Sequence, residues 1–115
     1  MKHIMHLKND YFNLIDKNLK SIELRIYDQK RRLISVGDNI EFVNSLDAKT
    51  SILVEVTNIE IFRSFKDLIE HTDKKLLGWA HLSEDTILDK LREIYSIDDE
   101  NKFGVVKITF KKIER

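Results

Sequence analysis

The chain has 115 residues, 42% of them hydrophobic and 35% charged, a balance that suits one globular domain spanning residues 1–115 and argues against disorder. It contains no cysteine and no proline, which excludes disulfides, thiolate-ligated zinc or iron–sulfur centres, a cysteine nucleophile and proline-rich ligand tracts. Twenty Lys and Arg balance twenty Asp and Glu, so the chain is no uniformly basic nucleic-acid binder, though it has room for a local basic patch.

Residues 3–8 read as a short strand, and Asn9 or Asp10 as the cap of a helix carrying Tyr11, Phe12, Leu14, Ile15 and Leu19 at helical spacing. Residues 20–27 alternate as a strand, with Ile22, Leu24 and Ile26 on one face and Ser21, Glu23, Arg25 and Tyr27 on the other. A polar connection leads through Leu33, Ile34 and Val36 to a turn at Gly37-Asp38 and a strand over 39–43, where Ile40 and Phe42 alternate with polar neighbours. A hairpin connection over 44–49 opens a long strand over 51–62. Its apolar phase runs Ile52, Val54, Val56, then slips to Ile59 and Ile61 after Thr57-Asn58, the mark of a bulge that bends a sheet.

Ser64 caps a short helix with Phe65, Leu68 and Ile69 inward, and Gly78-Trp79 form a turn. Ser83 caps a second helix whose stripe is Ile87, Leu88, Leu91, Ile94 and Tyr95. Asp98-Asp99-Glu100-Asn101 reads as a solvated acidic loop, and residues 102–113 as a final strand alternating Val106, Ile108 and Phe110 with Lys107, Thr109 and Lys111. Gly104, inside that pattern, marks a bulge or a close backbone approach. Strands bracket helices without βαβ alternation, so the expected class is mixed α/β, a small mixed β-barrel with helices packed over it.

No metal or cofactor is expected. His3 and His6 fall on opposite faces of a strand, the acidic run lacks the alternating ligands and glycine of a calcium loop, and Gly37, Gly78 and Gly104 are too dispersed for a phosphate-binding or dinucleotide loop. No hydrolase nucleophile elbow occurs. No apolar run approaches the ~18 residues of a bilayer span, and the first eight residues do not read as an export signal, so the expectations are a cytoplasmic location and no membrane partner.

The remaining candidate is Lys20-Ser21-Ile22-Glu23-Leu24-Arg25-Ile26-Tyr27. Glu23 and Arg25 share a strand face roughly 7 Å apart, with Lys20 at its entrance. Lys17, Lys20, Arg25, Lys30, Arg31 and Arg32 outnumber Glu23 and Asp28, a local basic excess in a neutral chain. The residues alone leave two readings open. One is a surface Glu–Arg pair among solvated lysines, worth about 0–1 kcal/mol. The other is a polar site in which Glu23 accepts from a base's amino group, Lys20, Arg25, Lys30, Arg31 and Arg32 hold phosphate oxygens, and Ser21 and Tyr27 lie alongside. Tyr27, Phe62 and Trp79 serve either as stacking surfaces or as core.

The order of this segment, then Val36-Gly37-Asp38-Asn39-Ile40-Glu41-Phe42, then Val54-Glu55-Val56 through Phe62-Arg63-Ser64-Phe65-Lys66-Asp67-Leu68-Ile69, and finally Ile94-Tyr95 and Phe103-Gly104-Val105-Val106-Lys107-Ile108-Thr109-Phe110, resembles the ASCH family of the PUA-like superfamily. The family's usual motif is G-x-K-x-x-E-x-R, and Asn18-Leu19 precede Lys20 here, so the glycine is missing. The resemblance implies a β-barrel with a cleft lined by the motif, and a module that binds single-stranded RNA or a nucleotide. It also implies an alternative, an amidohydrolase acting on N4-acetylcytidine-like nucleosides, with Lys20 at the catalytic lysine position. There, however, Glu23 occupies the position of the nucleophilic threonine, so catalysis is not the expected activity. A protein-interaction subunit is the third class.

Overall fold

The computed structural model describes residues 1–113. Five strands, β1 (Lys2–Leu7), β2 (Ile22–Ile26), β3 (Asn39–Asn44), β4 (Ser51–Phe62) and β5 (Val105–Lys112), form one sheet in the order β1-β3-β4-β5-β2. β1 runs parallel to β3 and every other pair is antiparallel. The sheet curls into a half-barrel with helices packed on it, the mixed α/β barrel class expected from the sequence. Its register shifts between Val56 and Asn58, leaving Thr57 out of register with β5, where the apolar phase of the sequence slips.

Two cores result. Met5, Leu7, Ile40, Phe42, Val54, Val56, Ile108 and Phe110 fill the concave face of the sheet. The helix α1 (Asn9–Asp16) closes that face with Phe12 and Ile15. On the outer face, Ile22, Leu24, Ile26 and Val105 pack against α2 (Phe65–Glu70) and α3 (Glu84–Ile94) through Phe65, Leu68, Ile87 and Leu91. Each fully buried aliphatic side chain here stabilises the fold by about 1.5–3 kcal/mol relative to exposure. Ser64 and Ser83 cap α2 and α3 by accepting from Asp67 N and Thr86 N. Gly104 takes φ 73° just before β5, and a Cβ there would lie 3.1 Å from the Phe62 carbonyl oxygen, the close approach its place in the pattern suggested.

Four local expectations are corrected. Residues 97–103 are not a loop but the helix α4 (Ile97–Phe103), capped by Ser96, and β5 consequently begins at Val105 instead of residue 102. Glu100 is buried rather than solvated, since its carboxylate accepts from Phe65 N at 2.8 Å and Arg92 Nη2 at 2.6 Å. The start of α1 has no side-chain cap, because Asn9 Oδ1 instead accepts from Asn44 Nδ2 at 2.9 Å. Leu19 falls beyond α1 and Ile94 sits at the end of α3, so both are exposed.

The edges of the sheet, β1 and β2, face each other across the open side of the half-barrel. The Arg25 guanidinium on β2 donates to the His6 carbonyl oxygen on β1 at 3.1 Å. At the two ends of β2, Ser21 O accepts from Phe110 N and Tyr27 N donates to Gly104 O, so the odd-numbered residues of this segment turn their backbone groups to β5. The even-numbered ones turn theirs to the gap. Two of those carbonyls are taken by side chains: Ile22 O by Lys20 Nζ at 2.7 Å, and Leu24 O by the Tyr95 hydroxyl at 3.3 Å.

Candidate functional site: the charged cleft between the sheet edges

The site begins with a turn. α1 ends at Asp16, and Asn18 takes φ 62°, the left-handed region that asparagine tolerates better than most residues. This reversal lets Leu19 N and Lys20 N both donate to the Leu14 carbonyl oxygen, at 2.8 and 3.1 Å. Asn18, two residues before Lys20, thus supplies the conformation that a glycine there would supply. The chain then enters β2 with the Lys20 side chain folded back over the strand end.

Strand register aims the charges. Glu23 pairs with Ile108 and Arg25 with Val106, so both charged side chains project onto the concave face, among residues that are otherwise apolar. Glu23 Oε2 accepts from Arg25 Nε at 2.7 Å, and Glu23 Oε1 lies 3.2 Å from Lys20 Nζ. Lys20 and Glu23 are each only 6% exposed. The surface-pair reading is therefore excluded: this is a buried lysine–carboxylate–arginine triad. Burial works to raise the Glu23 pKa, but Arg25 and Lys20 outweigh it and hold the carboxyl below its usual range. Burial lowers the Lys20 ammonium despite Glu23, whereas for Arg25 the attraction of Glu23 prevails over burial and the guanidinium is raised.

The triad forms one wall of a cleft of about 200 Å³. Tyr11, Trp79, Leu91 and Tyr95 give the opposite walls, and His6, Lys8 and Ser45 lie at β1 and just beyond β3. Tyr11 and Trp79 meet edge to face with centroids 5.6 Å apart, and Lys20 Nζ lies 5.8 Å from the Trp79 ring centroid. Gly78 positions that indole: it has φ 79°, and a Cβ on it would come within 2.8 Å of Leu14 Cδ1. Burial pushes the Tyr95 phenol up to about 12, with Arg25 opposing. It thus stays a neutral hydrogen-bonding group.

Of the residues singled out in the sequence, Lys20, Glu23 and Arg25 come together in the cleft. Arg31 lies close enough to Tyr95 to act on its phenol and is itself bound to Asp28 through its backbone N at 3.0 Å. Arg32 stacks over Tyr27 at 4.2 Å and donates to Phe103 O, and neither residue lines the cleft. Lys30 lies beside Ile4 and Leu33, along the other side of β1. Ser21 acts through its backbone, donating to Leu76 O. Among the stacking candidates only Trp79 lines the cleft, and Phe62 packs on the outer face against His71. The sequence reading missed Tyr11 and Tyr95, which read there only as apolar-stripe residues. Among the described residues no group of three or more His, Asp or Glu side chains is placed to hold a metal ion, and no helix is long and apolar enough to cross a membrane.

The model of the ASCH domain family matches residues 5–114. The chain belongs to the ASCH family. The crystal structure of the hypothetical protein PH0355 is 33% identical and superposes with a TM-score of 0.86, covering 98% of this ASCH chain and 100% of that one. The solution structure of protein PF0455 from Pyrococcus furiosus is 30% identical, with a TM-score of 0.78 and full coverage of both chains (100%). An ASCH protein from Zymomonas mobilis, solved as an S128A mutant, shares the fold at a TM-score of 0.68 and 14% identity, with 98% of this chain and 73% of that one aligned. No curated protein matches the sequence.

Proposed function

We propose that this ASCH domain binds one unstacked base of a single-stranded RNA in the cleft between β1 and β2. The observation that carries the reading is the triad itself. Ions taken out of water cost several kcal/mol each, so a lysine, a carboxylate and an arginine buried together are a weak device for stability. Placed on the wall of a cleft, they are an array of fixed donors and acceptors. The cleft is smaller than the ~300–1,000 Å³ of pockets for drug-sized ligands, which suits a single flat ring. Its Tyr11, Trp79 and Tyr95 walls offer apolar and aromatic surface for that ring, and base stacking on such side chains contributes about 1–3 kcal/mol. A duplex is disfavoured because its bases are stacked and the deep groove of A-form RNA does not expose them. Lys30, Arg31 and Arg32 lie in the connection after β2, outside the cleft itself, where they suit contacts to the phosphates of flanking nucleotides.

Titration against single-stranded and duplex RNA octamers at two salt concentrations tests this. The single strand should bind more tightly. Glu23→Gln should cost about 1–3 kcal/mol of binding. Lys30→Gln and Arg32→Gln should weaken binding evenly across sequences and lower the salt slope, by about one for each phosphate left without its cation. A preference for duplex, or no RNA binding at all, overturns the reading.

A further inference from the structure

From the order of donors and acceptors along the cleft wall we infer that the base preferred here is one whose edge carries an N–H flanked by two carbonyl oxygens, a uracil-type imide. This rests on the base-binding reading above and makes it specific. Glu23 stands between two cations, reached by Lys20 at one carboxylate oxygen and by Arg25 at the other. Lys20 commits two of its three N–H groups, to Ile22 O and to Glu23, and keeps one. Arg25 commits Nε–H to Glu23 and one Nη2 N–H to His6 O, and keeps its other guanidinium N–H groups. Each carboxylate oxygen has a second lone pair. The wall therefore reads donor, acceptor, donor.

Only an edge that reads acceptor, donor, acceptor meets all three. Uracil does so with O4, N3–H and O2. Cytosine with its amino group on Glu23 has both its acceptors on one side and leaves the other cation without a partner. Adenine has one donor and one acceptor on that edge. Guanine gives O6 to one cation and N1–H to the carboxylate, but turns an amino N–H toward the second cation, donor against donor. An unmatched buried polar group is penalised far more than an exposed one, which makes the discrimination large.

The test uses adenosine octamers carrying one central uridine, cytidine, guanosine or 3-methyluridine, bound to the unaltered protein. The uridine octamer should bind about tenfold or more tightly than the all-adenosine, cytidine and guanosine ones, a difference of roughly 1.4 kcal/mol. Methylating N3 removes the imide donor and should abolish the advantage with no change to the protein. Glu23→Gln should reduce the preference for uridine more than it reduces binding of the all-adenosine octamer. Equal affinity for all octamers, a preference for cytidine or guanosine, or retention of the advantage by 3-methyluridine overturns this inference while leaving base binding standing. Failure of every octamer to bind overturns both.

Discussion

Among the described residues two glutamates are almost fully buried, Glu23 at 6% exposure and Glu100 at 4%, and they do different work. Glu100 joins helices. One oxygen accepts from the backbone N–H of Phe65 at the start of α2, and the other from Arg92 near the end of α3, so its charge binds three helices at one point. Arg92 is itself 42% exposed and has water as an alternative. Glu23 joins no helices. Its partners are the side chains of Lys20 and Arg25, only 4% and 14% exposed and so far less open to water than Arg92, and all three line a cleft. A buried charge whose partners include a backbone group organises the fold, whereas one held only by other buried charges at a cavity wall is organised for something that enters it.

That contrast predicts unequal losses. Glu23→Ala strands two buried cations and should lower stability by about 3–5 kcal/mol. Glu100→Ala leaves one backbone N–H unpaired while Arg92 turns to water, and should lower it by about 1–3 kcal/mol. Urea unfolding midpoints measure both, and equal losses would erase the distinction. Leu91→Ala touches both regions, since Leu91 lies on the cleft wall and in the outer core while the next residue, Arg92, reaches Glu100. It should cost about 2–5 kcal/mol. A near-neutral midpoint would remove α3 from the frame of both sites.

Acid sharpens the comparison further. The Glu23 pKa is lowered in the folded protein, so its stabilising contribution is complete above the ordinary carboxylate range of about 4.3 and drains away as pH falls from there through its depressed value. Stability measured from pH 6 to pH 2 should fall less steeply for Glu23→Gln than for the parent. Identical acid limbs would mean that the carboxylate gains nothing from its two cations. The smallest effect is expected at the turn before the triad: Asn18→Ala places an ordinary residue at φ 62° and should cost about 1 kcal/mol, read again from the unfolding midpoint.

Much of the sheet was legible because its signal is alternation, and the alternation of Ile22, Leu24 and Ile26 or of Val54 and Val56 is dictated by the two cores. The slip at Thr57 was legible for the same reason. The helix α4 was not, since its one fully buried residue is the charged Glu100, its one large aliphatic, Ile97, is exposed, and Phe103 at its end is the sole apolar side chain packed on the core, so no apolar stripe exists to read. A signal was nonetheless present in Ser96 and Asp99, the spacing of an N-terminal cap. For the site, the charged triplet was visible in sequence, but its burial was not. Whether Glu23 and Arg25 face water or a concave wall depends on pairing with Ile108 and Val106, at the far end of the chain. Tyr11, Trp79 and Tyr95 converge on the cleft from segments far apart in the chain.

The unclosed side of the half-barrel has a consequence for how the molecule behaves among its own copies. A sheet edge is normally an invitation, a row of unsatisfied N–H and C=O groups on which another chain can template. Here the two edges face one another, and the carbonyls of Ile22, Leu24 and His6 are occupied by Lys20, Tyr95 and Arg25. The side chains that shape the cleft therefore also act as gatekeepers against strand addition, and a variant that loses them gives up protection from self-association together with its cleft.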